Sequence, residues 1–149
     1  MQTSDQGRQL ITEREGCRLT PYRDSRGVWT DGVGNTHGVR PYDGPITQKK
    51  ADNDLRMNLR VAEAAVNLVT RPLEQFQFDA LVSFVFNVGV AAFERSTLFR
   101  LLNAGDIDGA TGQFDLWHIP PEITSRRNGE REQFKGEQFA ARIEGEDHG

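Results

Sequence analysis

The stretch EQFQFDALVSFVFNVG, residues 74–89, constrains the fold more than any other part of the chain. Phe76, Phe78, Leu81, Val82, Phe84, Val85, Phe86 and Val88 place apolar side chains on nearly every side of a helical axis. A helix that is apolar all round is stable in water only when other elements cover it, so this one must be central and buried. The uncharged run from Ala80 to Phe93 is shorter than the roughly 20 apolar residues a bilayer span needs, and it reads as core. The rest of the chain therefore has to supply the cover, and 149 residues suffice for one ordinary domain or for two small lobes sharing a helix.

The flanking sequence supplies helices. Asp5–Arg14 carries Leu10 and Ile11 on a short apolar face, and Gly16 is a helix stop, which puts Glu15 at a helix C-terminus. Thr47 is a good N-cap for a long connecting helix reaching about Leu68, with Leu55, Leu59, Ala62 and Val66 on one face. Lys49, Asp52, Arg56, Arg60 and Glu63 on the other face read as solvated surface. Pro72 breaks the chain. Beyond the central helix, further helices are predicted over Ser96–Asn103, Asp106–Trp117 and Ser125–Phe139, followed by a frayed polar tail.

Residues 18–45 differ in character. Glycine recurs at 27, 32, 34, 38 and 44, and DSRG and YDGP are turn signals. Between them VWT and GVG read as short strands of a small antiparallel sheet. The predicted class is α+β and mostly helical, with a small sheet lobe at about 15–60, a connecting helix, and a helical lobe at about 70–145 near which the N-terminal helix packs. Two lobes imply a cleft, where extended substrates bind.

Composition narrows the function. The formal net charge of −4 argues against a general nucleic-acid binder and against strong capture by any polyanion. A single cysteine, Cys17, permits no internal disulfide, and it reads as a packed thiol rather than a nucleophile. The N-terminus MQTSDQGRQLITEREG has no apolar segment of the secretory kind. His118 reads as structural or exposed, and no residues have metal-ligand spacing.

Chemistry could reside in Glu15, Asp24 and Thr30. A turn between a helix end and a strand can bring these three to one wall of a cleft. Two carboxyl groups in one site can divide acid and base roles when their environments differ, as glycosidic cleavage requires. Thr30 could then position a water. On spacing alone other readings stay open, because Asp at the head of DSRG is a common turn residue and Glu at a helix end is usually solvated.

The segment EGCRLTPYRDSRGVWTDGVGNTHG resembles the start of the phage-type lysozymes, family 24 of the glycoside hydrolases. That family's pattern of Glu-Gly, a catalytic Asp, a catalytic Thr and Gly-x-Gly falls on Glu15-Gly16, Asp24, Thr30 and Gly32-Val33-Gly34. Gln77–Asp106 is similar to its central helical segment, and Ser125–Phe134 to its Arg-rich C-terminal helix. The three matches come in family order.

The resemblance implies a lysozyme-like two-lobed fold and a muramidase, cutting the β-1,4 bond between N-acetylmuramic acid and N-acetylglucosamine in peptidoglycan during host lysis. Glu15 is then the general acid, while Asp24 and Thr30 hold and activate water, giving inversion. No metal or organic cofactor is implied. A monomer is expected, with no nucleic-acid partner and no stable membrane insertion. It would be held in the host cytoplasm until a holin-type pore admits it to the periplasm and cell wall. Phe86 and Asn87 match a cleft-facing pair in the family, against helix core as the plain alternative for Phe86. Arg126 matches an arginine that supports the acid, with Arg127 as the neighbouring candidate and a surface charge pair as the alternative. Trp117 could stack on a sugar or pack in the helical lobe. Two departures stand out: Asn35 where the family commonly has His, with His37 displaced, and Asp31 where an apolar residue is common. Asp31 faces away from Thr30 in an extended strand and takes no catalytic role. Rival readings are a lytic transglycosylase, which needs only the Glu, and a non-catalytic wall-binding module.

Overall fold

The computed structural model describes residues 1–136. The chain forms two compact units: Asp5–Arg60, and Met1–Ser4 together with the chain from Val61 onward. The predicted tail and the end of the last predicted helix at Phe139 lie outside the described residues.

In the unit Asp5–Arg60 the elements are α1 (Asp5–Glu15), β1 (Arg18–Arg23), β2 (Trp29–Gly32) and α2 (Gln48–Asn58). The N-terminal helix α1, expected near the helical lobe, belongs to this unit. It buries Leu10 and Ile11. Arg8, also buried, donates from Nε to Asp52 of α2 at 3.0 Å. Asp52 is thus a partner rather than one of the solvated charges the sequence suggested. Thr47 caps α2 as expected, accepting from the Lys50 N–H at 3.0 Å.

The sheet differs from expectation in its strands. β1 and β2 pair antiparallel with Tyr22 opposite Thr30 and Arg23 opposite Trp29. β1, RLTPYR, was not read as a strand, because its charges and Pro21 give no apolar alternation. Of GVG only Gly32 belongs to a strand, as the end of β2; Val33 and Gly34 form a tight turn across which Asp31 and Asn35 exchange both backbone hydrogen bonds at 2.9 Å. Gly32 has φ +54°, a backbone conformation that residues other than glycine rarely adopt, so the backbone there calls for glycine.

The second unit holds α3 (Arg60–Val66, beginning at the unit boundary), α4 (Gln75–Val88), α5 (Val90–Glu94), α6 (Thr97–Ala104), α7 (Ile107–Gln113), two 3-10 turns at Phe114–Leu116 and Pro121–Ile123, and α8 (Thr124–Lys135). The long connecting helix predicted from Thr47 is thus assigned as two, α2 and α3. Leu59 between them keeps right-handed angles (φ −78°, ψ −14°), and Leu55, Leu59, Ala62 and Val66 are all buried, so the apolar pattern carries no mark of the interruption. Glu63 is again more than a solvated charge, accepting from the Thr3 N–H at 2.6 Å and its hydroxyl at 2.7 Å.

The all-round apolar stretch is α4, and Phe78–Val85 are buried without interruption. Glu74 and Gln77 close a capping box at its start. Two polar residues are buried within it. Asp79 accepts from the Ser4 N–H at 3.1 Å and from the Gln75 amide at 2.8 Å. Ser83 faces α8 and donates to Glu130 at 2.6 Å. Phe84 of this helix meets Phe114 and Trp117 edge-on at 5.5 and 5.4 Å, and Phe134 packs tilted against Phe114 at 5.5 Å. No helix among the described residues is long and apolar enough to cross a membrane.

Candidate active site

Glu15, Asp24 and Thr30 all lie in the unit Asp5–Arg60. Glu15 is the exposed last residue of α1. Gly16 follows it with φ +81°, and its N–H closes on the Thr12 carbonyl at 2.8 Å. A left-handed glycine ends a helix without the steric cost a Cβ would carry, and it turns the chain sharply away after the carboxyl group.

Asp24 and Thr30 are tied together through one residue, Val28. The Asp24 N–H donates to the Val28 carbonyl at 2.9 Å, and the Val28 N–H returns a bond to Asp24 Oδ1 at 2.9 Å. The Arg26 N–H adds a second bond to the same oxygen at 2.8 Å. Gly27, at φ +80°, donates to the Asp24 carbonyl and completes the turn. The Thr30 hydroxyl donates to that same Val28 carbonyl at 2.9 Å. Thr30 is only 2% exposed, whereas Asp24 is half-buried. Asp24 is therefore the turn residue that DSRG suggested, yet the turn uses only Oδ1. Oδ2 has the Arg26 guanidinium at 3.9 Å. The Val28 N–H, followed by those of Arg26 and Gly27 and by the Arg26 charge, holds the Asp24 carboxyl below the ordinary aspartate range.

Asp31 and Asn35, both buried, are hydrogen-bonded to each other. Asp31 is buried, and the Asn35 amide nitrogen donates to its Oδ1 at 3.1 Å and to the His37 carbonyl at 3.3 Å. The Asn35 oxygen accepts from the Asn58 amide of α2 at 3.1 Å. An amide here serves a buried carboxylate with one end and an amide donor with the other. Asn35→Asp would set two carboxylates against each other. Their repulsion in a buried position should lower stability by about 2–4 kcal/mol at neutral pH, which urea melts check. Cys17 is half-buried, and burial, followed by the Asp31 charge, pushes its thiol up, the opposite of an activated nucleophile.

The remaining candidates lie in the second unit. Phe86 is half-buried and Asn87 exposed near the C-terminus of α4. Trp117 follows the first 3-10 turn, half-buried, its ring edge-on to Phe84 at 5.4 Å. Arg126 is not a surface charge pair. It is buried, donates from Nε to Glu130 at 3.1 Å, and reaches the Ser83 carbonyl at 2.9 Å. Arg127 is buried beside it, on Glu130 at 2.6 Å, on the Trp117 carbonyl at 2.9 Å and on Asn87. Glu130, fully buried, thus holds both guanidinium groups and the Ser83 hydroxyl. Sequence reasoning overlooked it. Its spacing from Arg126 and Arg127 on a polar helix was the available signal. Among the described residues, no three His, Cys, Asp or Glu side chains gather as a metal site.

A helix-end glutamate, a turn aspartate and a strand threonine, with a helical unit built around α4, define a lysozyme-like protein. The phage lysozyme family model matches residues 12–130, which include all three, and the chain belongs to that family of glycoside hydrolases. It is 42% identical over 118 residues to an endolysin of Acyrthosiphon pisum secondary endosymbiont phage 1, covering 78% of this chain and 80% of that one. It is 39% identical to the endolysin of Salmonella phage P22, over 90% of this chain and 98% of the relative. A crystal structure of a mutant P22 lysozyme superposes with a TM-score of 0.83 at 38% identity, covering 90% and 98% of the two chains. A SAR-endolysin of Escherichia phage Mu is 41% identical over 74% of this chain and 64% of its own length.

Proposed function

We infer that this chain is a phage endolysin: a muramidase that hydrolyses the β-1,4 bond between N-acetylmuramic acid and N-acetylglucosamine in bacterial peptidoglycan. The observation that carries the reading is the Glu15, Asp24 and Thr30 motif standing inside the residues matched to the phage lysozyme family. Glu15 donates its proton to the leaving glycosidic oxygen. Asp24 Oδ2 and the Thr30 hydroxyl oxygen hold the attacking water. Thr30 has spent its proton on Val28, so its lone pairs accept from that water, and Asp24 takes up the proton as the new C–O bond forms. A carboxyl held below its usual range stays ionised in mildly acidic solution, which suits this part. Attack by water from the far face gives inversion.

Phe86, Asn87 and Trp117 are assigned to the glycan and Arg126 to the support of Glu15. Arg126 suits the assignment because Glu130 and Ser83 already fix its guanidinium. We further assign a monomer that reaches the wall at lysis through a holin-type pore.

The deciding experiment is digestion of purified peptidoglycan with the product followed by NMR and mass spectrometry. The expected first product is the α-anomer with a free reducing end. A β-anomer would assign Asp24 as nucleophile, and anhydro-muropeptides as the main product would make the enzyme a lytic transglycosylase.

A further inference from the structure

Between residues 14 and 30, four arginines stand against two carboxylates, although the whole chain has a net charge of −4. One of these arginines has no anion of its own. Arg23 is exposed at the end of β1, directly opposite Trp29 in the pairing with β2. Its guanidinium sits over the half-buried Trp29 ring, 5.4 Å from the centroid. Arg8, Arg26, Arg40 and Arg56 of the same unit each have a carboxylate within ion-pair distance. Among the described residues, Arg23 has none. Stacking holds the plane of its fork and leaves the N–H edge to solvent.

The pair flanks the two residues assigned to the attacking water. Arg23 immediately precedes Asp24, and Trp29 immediately precedes Thr30. Thr30 lies opposite Tyr22, so Arg23 and Trp29 project from the other face of the sheet. That sheet has two strands, and neighbouring strands lie only about 5 Å apart. A chain held at Asp24 therefore has a short way round to Arg23. Peptidoglycan has such a chain, because its muramic acid residues carry short peptide stems with several carboxylates. A stem of about five residues extends roughly 16 Å, enough to pass a sheet this narrow.

We propose that the Arg23–Trp29 pair binds a carboxylate of the wall's peptide stem, apart from the groups that cut the glycan, so that the enzyme favours strands whose stems are charged. The proposal rests on the muramidase reading above and deepens it. A ring-stacked guanidinium is set to donate two parallel N–H bonds to a carboxylate, which a lysine cannot do. An amidated stem offers one oxygen acceptor and no charge. The contact is remote from the reacting bond and equally made before and in the transition state, so its effect belongs in KM.

The test compares kcat/KM on one peptidoglycan preparation with kcat/KM on the same wall after its carboxyl groups are amidated with a carbodiimide in excess ammonia. A ratio between substrates cancels any loss of folded enzyme, which a merely structural role of the pair would produce. The wild type should favour the native wall by about three- to fivefold, the size of one well-placed exposed ion pair. Arg23→Gln should bring the ratio close to one, through KM on the native wall rather than through kcat. Arg23→Lys keeps the charge without the fork, and Trp29→Leu removes the ring beneath it; each should lower the ratio. Lys49→Gln removes an exposed cation elsewhere in the same unit and should leave the ratio as it was. A wild-type ratio near one, a ratio unmoved by Arg23→Gln, or full preference in Arg23→Lys or Trp29→Leu overturns the proposal. So does an equal fall in Lys49→Gln, which would make the preference a matter of general charge. Absence of any cleavage of native wall by the wild type would overturn the muramidase reading itself.

Discussion

Glu15→Gln should abolish the clearing of permeabilised Gram-negative cells while the protein remains folded. Glutamine has the shape of the carboxylic acid but no proton to give, so the leaving sugar oxygen must depart unprotonated. Loss of a positioned general acid costs about 10²–10⁴ in rate, enough to remove visible lysis. The side chain is exposed at the end of α1, and glutamine matches its size and shape, so the fold should survive the exchange. Circular dichroism and a thermal melt should therefore match the wild type. Asp24→Asn makes the informative companion. Its amide oxygen can keep the bonds from the Arg26 and Val28 N–H groups, so the turn survives while the charge that holds water is gone. Retained lysis in Glu15→Gln would remove the acid from this position. In the same assay, intact unpermeabilised cells producing the wild type should not clear without a pore-forming partner; spontaneous clearing would sink the holin-type route.

Glu130→Leu should be the most destabilising single change of those considered. The carboxylate is fully buried and meets Arg127 at 2.6 Å, Arg126 at 3.1 Å and the Ser83 hydroxyl at 2.6 Å. Leucine removes the buried anion that Arg126 and Arg127 share. Breaking a buried ion pair in this way costs about 3–5 kcal/mol. In a domain of this size, that corresponds to a fall in Tm of roughly 6–20 °C. A thermal melt reads it directly. A shift under about 2 °C would mean that water or another group satisfies the arginines and that the buried cluster carries little energy. A triple exchange of Glu130, Arg126 and Arg127 to apolar residues should recover much of the lost stability, since an ion cluster replaced whole can be neutral. On the proposed role of Arg126 beside the acid, it should not recover activity.

How much of this was legible in the chain differs by element. The run from Phe78 to Val85 was readable because an apolar residue at every angle of a helix has only one solution, burial. The cap at Thr47 and the stop at Gly16 were readable because they are local hydrogen-bond and steric effects. β1 was not, since RLTPYR becomes a strand only by pairing with β2, and that pairing is invisible to a reading of neighbours. GVG misled for the opposite reason: β2 ends at Gly32, and Gly34 adopts positive φ, which serves a turn, not a strand. The interruption at Leu59 also left no trace, because it keeps the apolar face in phase.

The site divides along the same line. Glu15, Asp24 and Thr30 were singled out through the order and spacing of a family motif; spacing alone left Asp24 as a turn residue, and the fold makes it one, with Oδ1 committed to the loop backbone. The charges on Asp52, Glu63, Arg126 and Arg127 looked like solvated surface or surface pairs, and each has a partner remote in sequence. The sequence by itself determined the helical core, the helix ends and the identity of the chemical groups, because periodicity, capping and residue type act over a few positions. Only the tertiary structure decided what holds Arg126 and Arg127 and what Asn35 bonds, because those depend on charges and amides brought together from distant parts of a unit, where a buried group must find its partner or destabilise the fold.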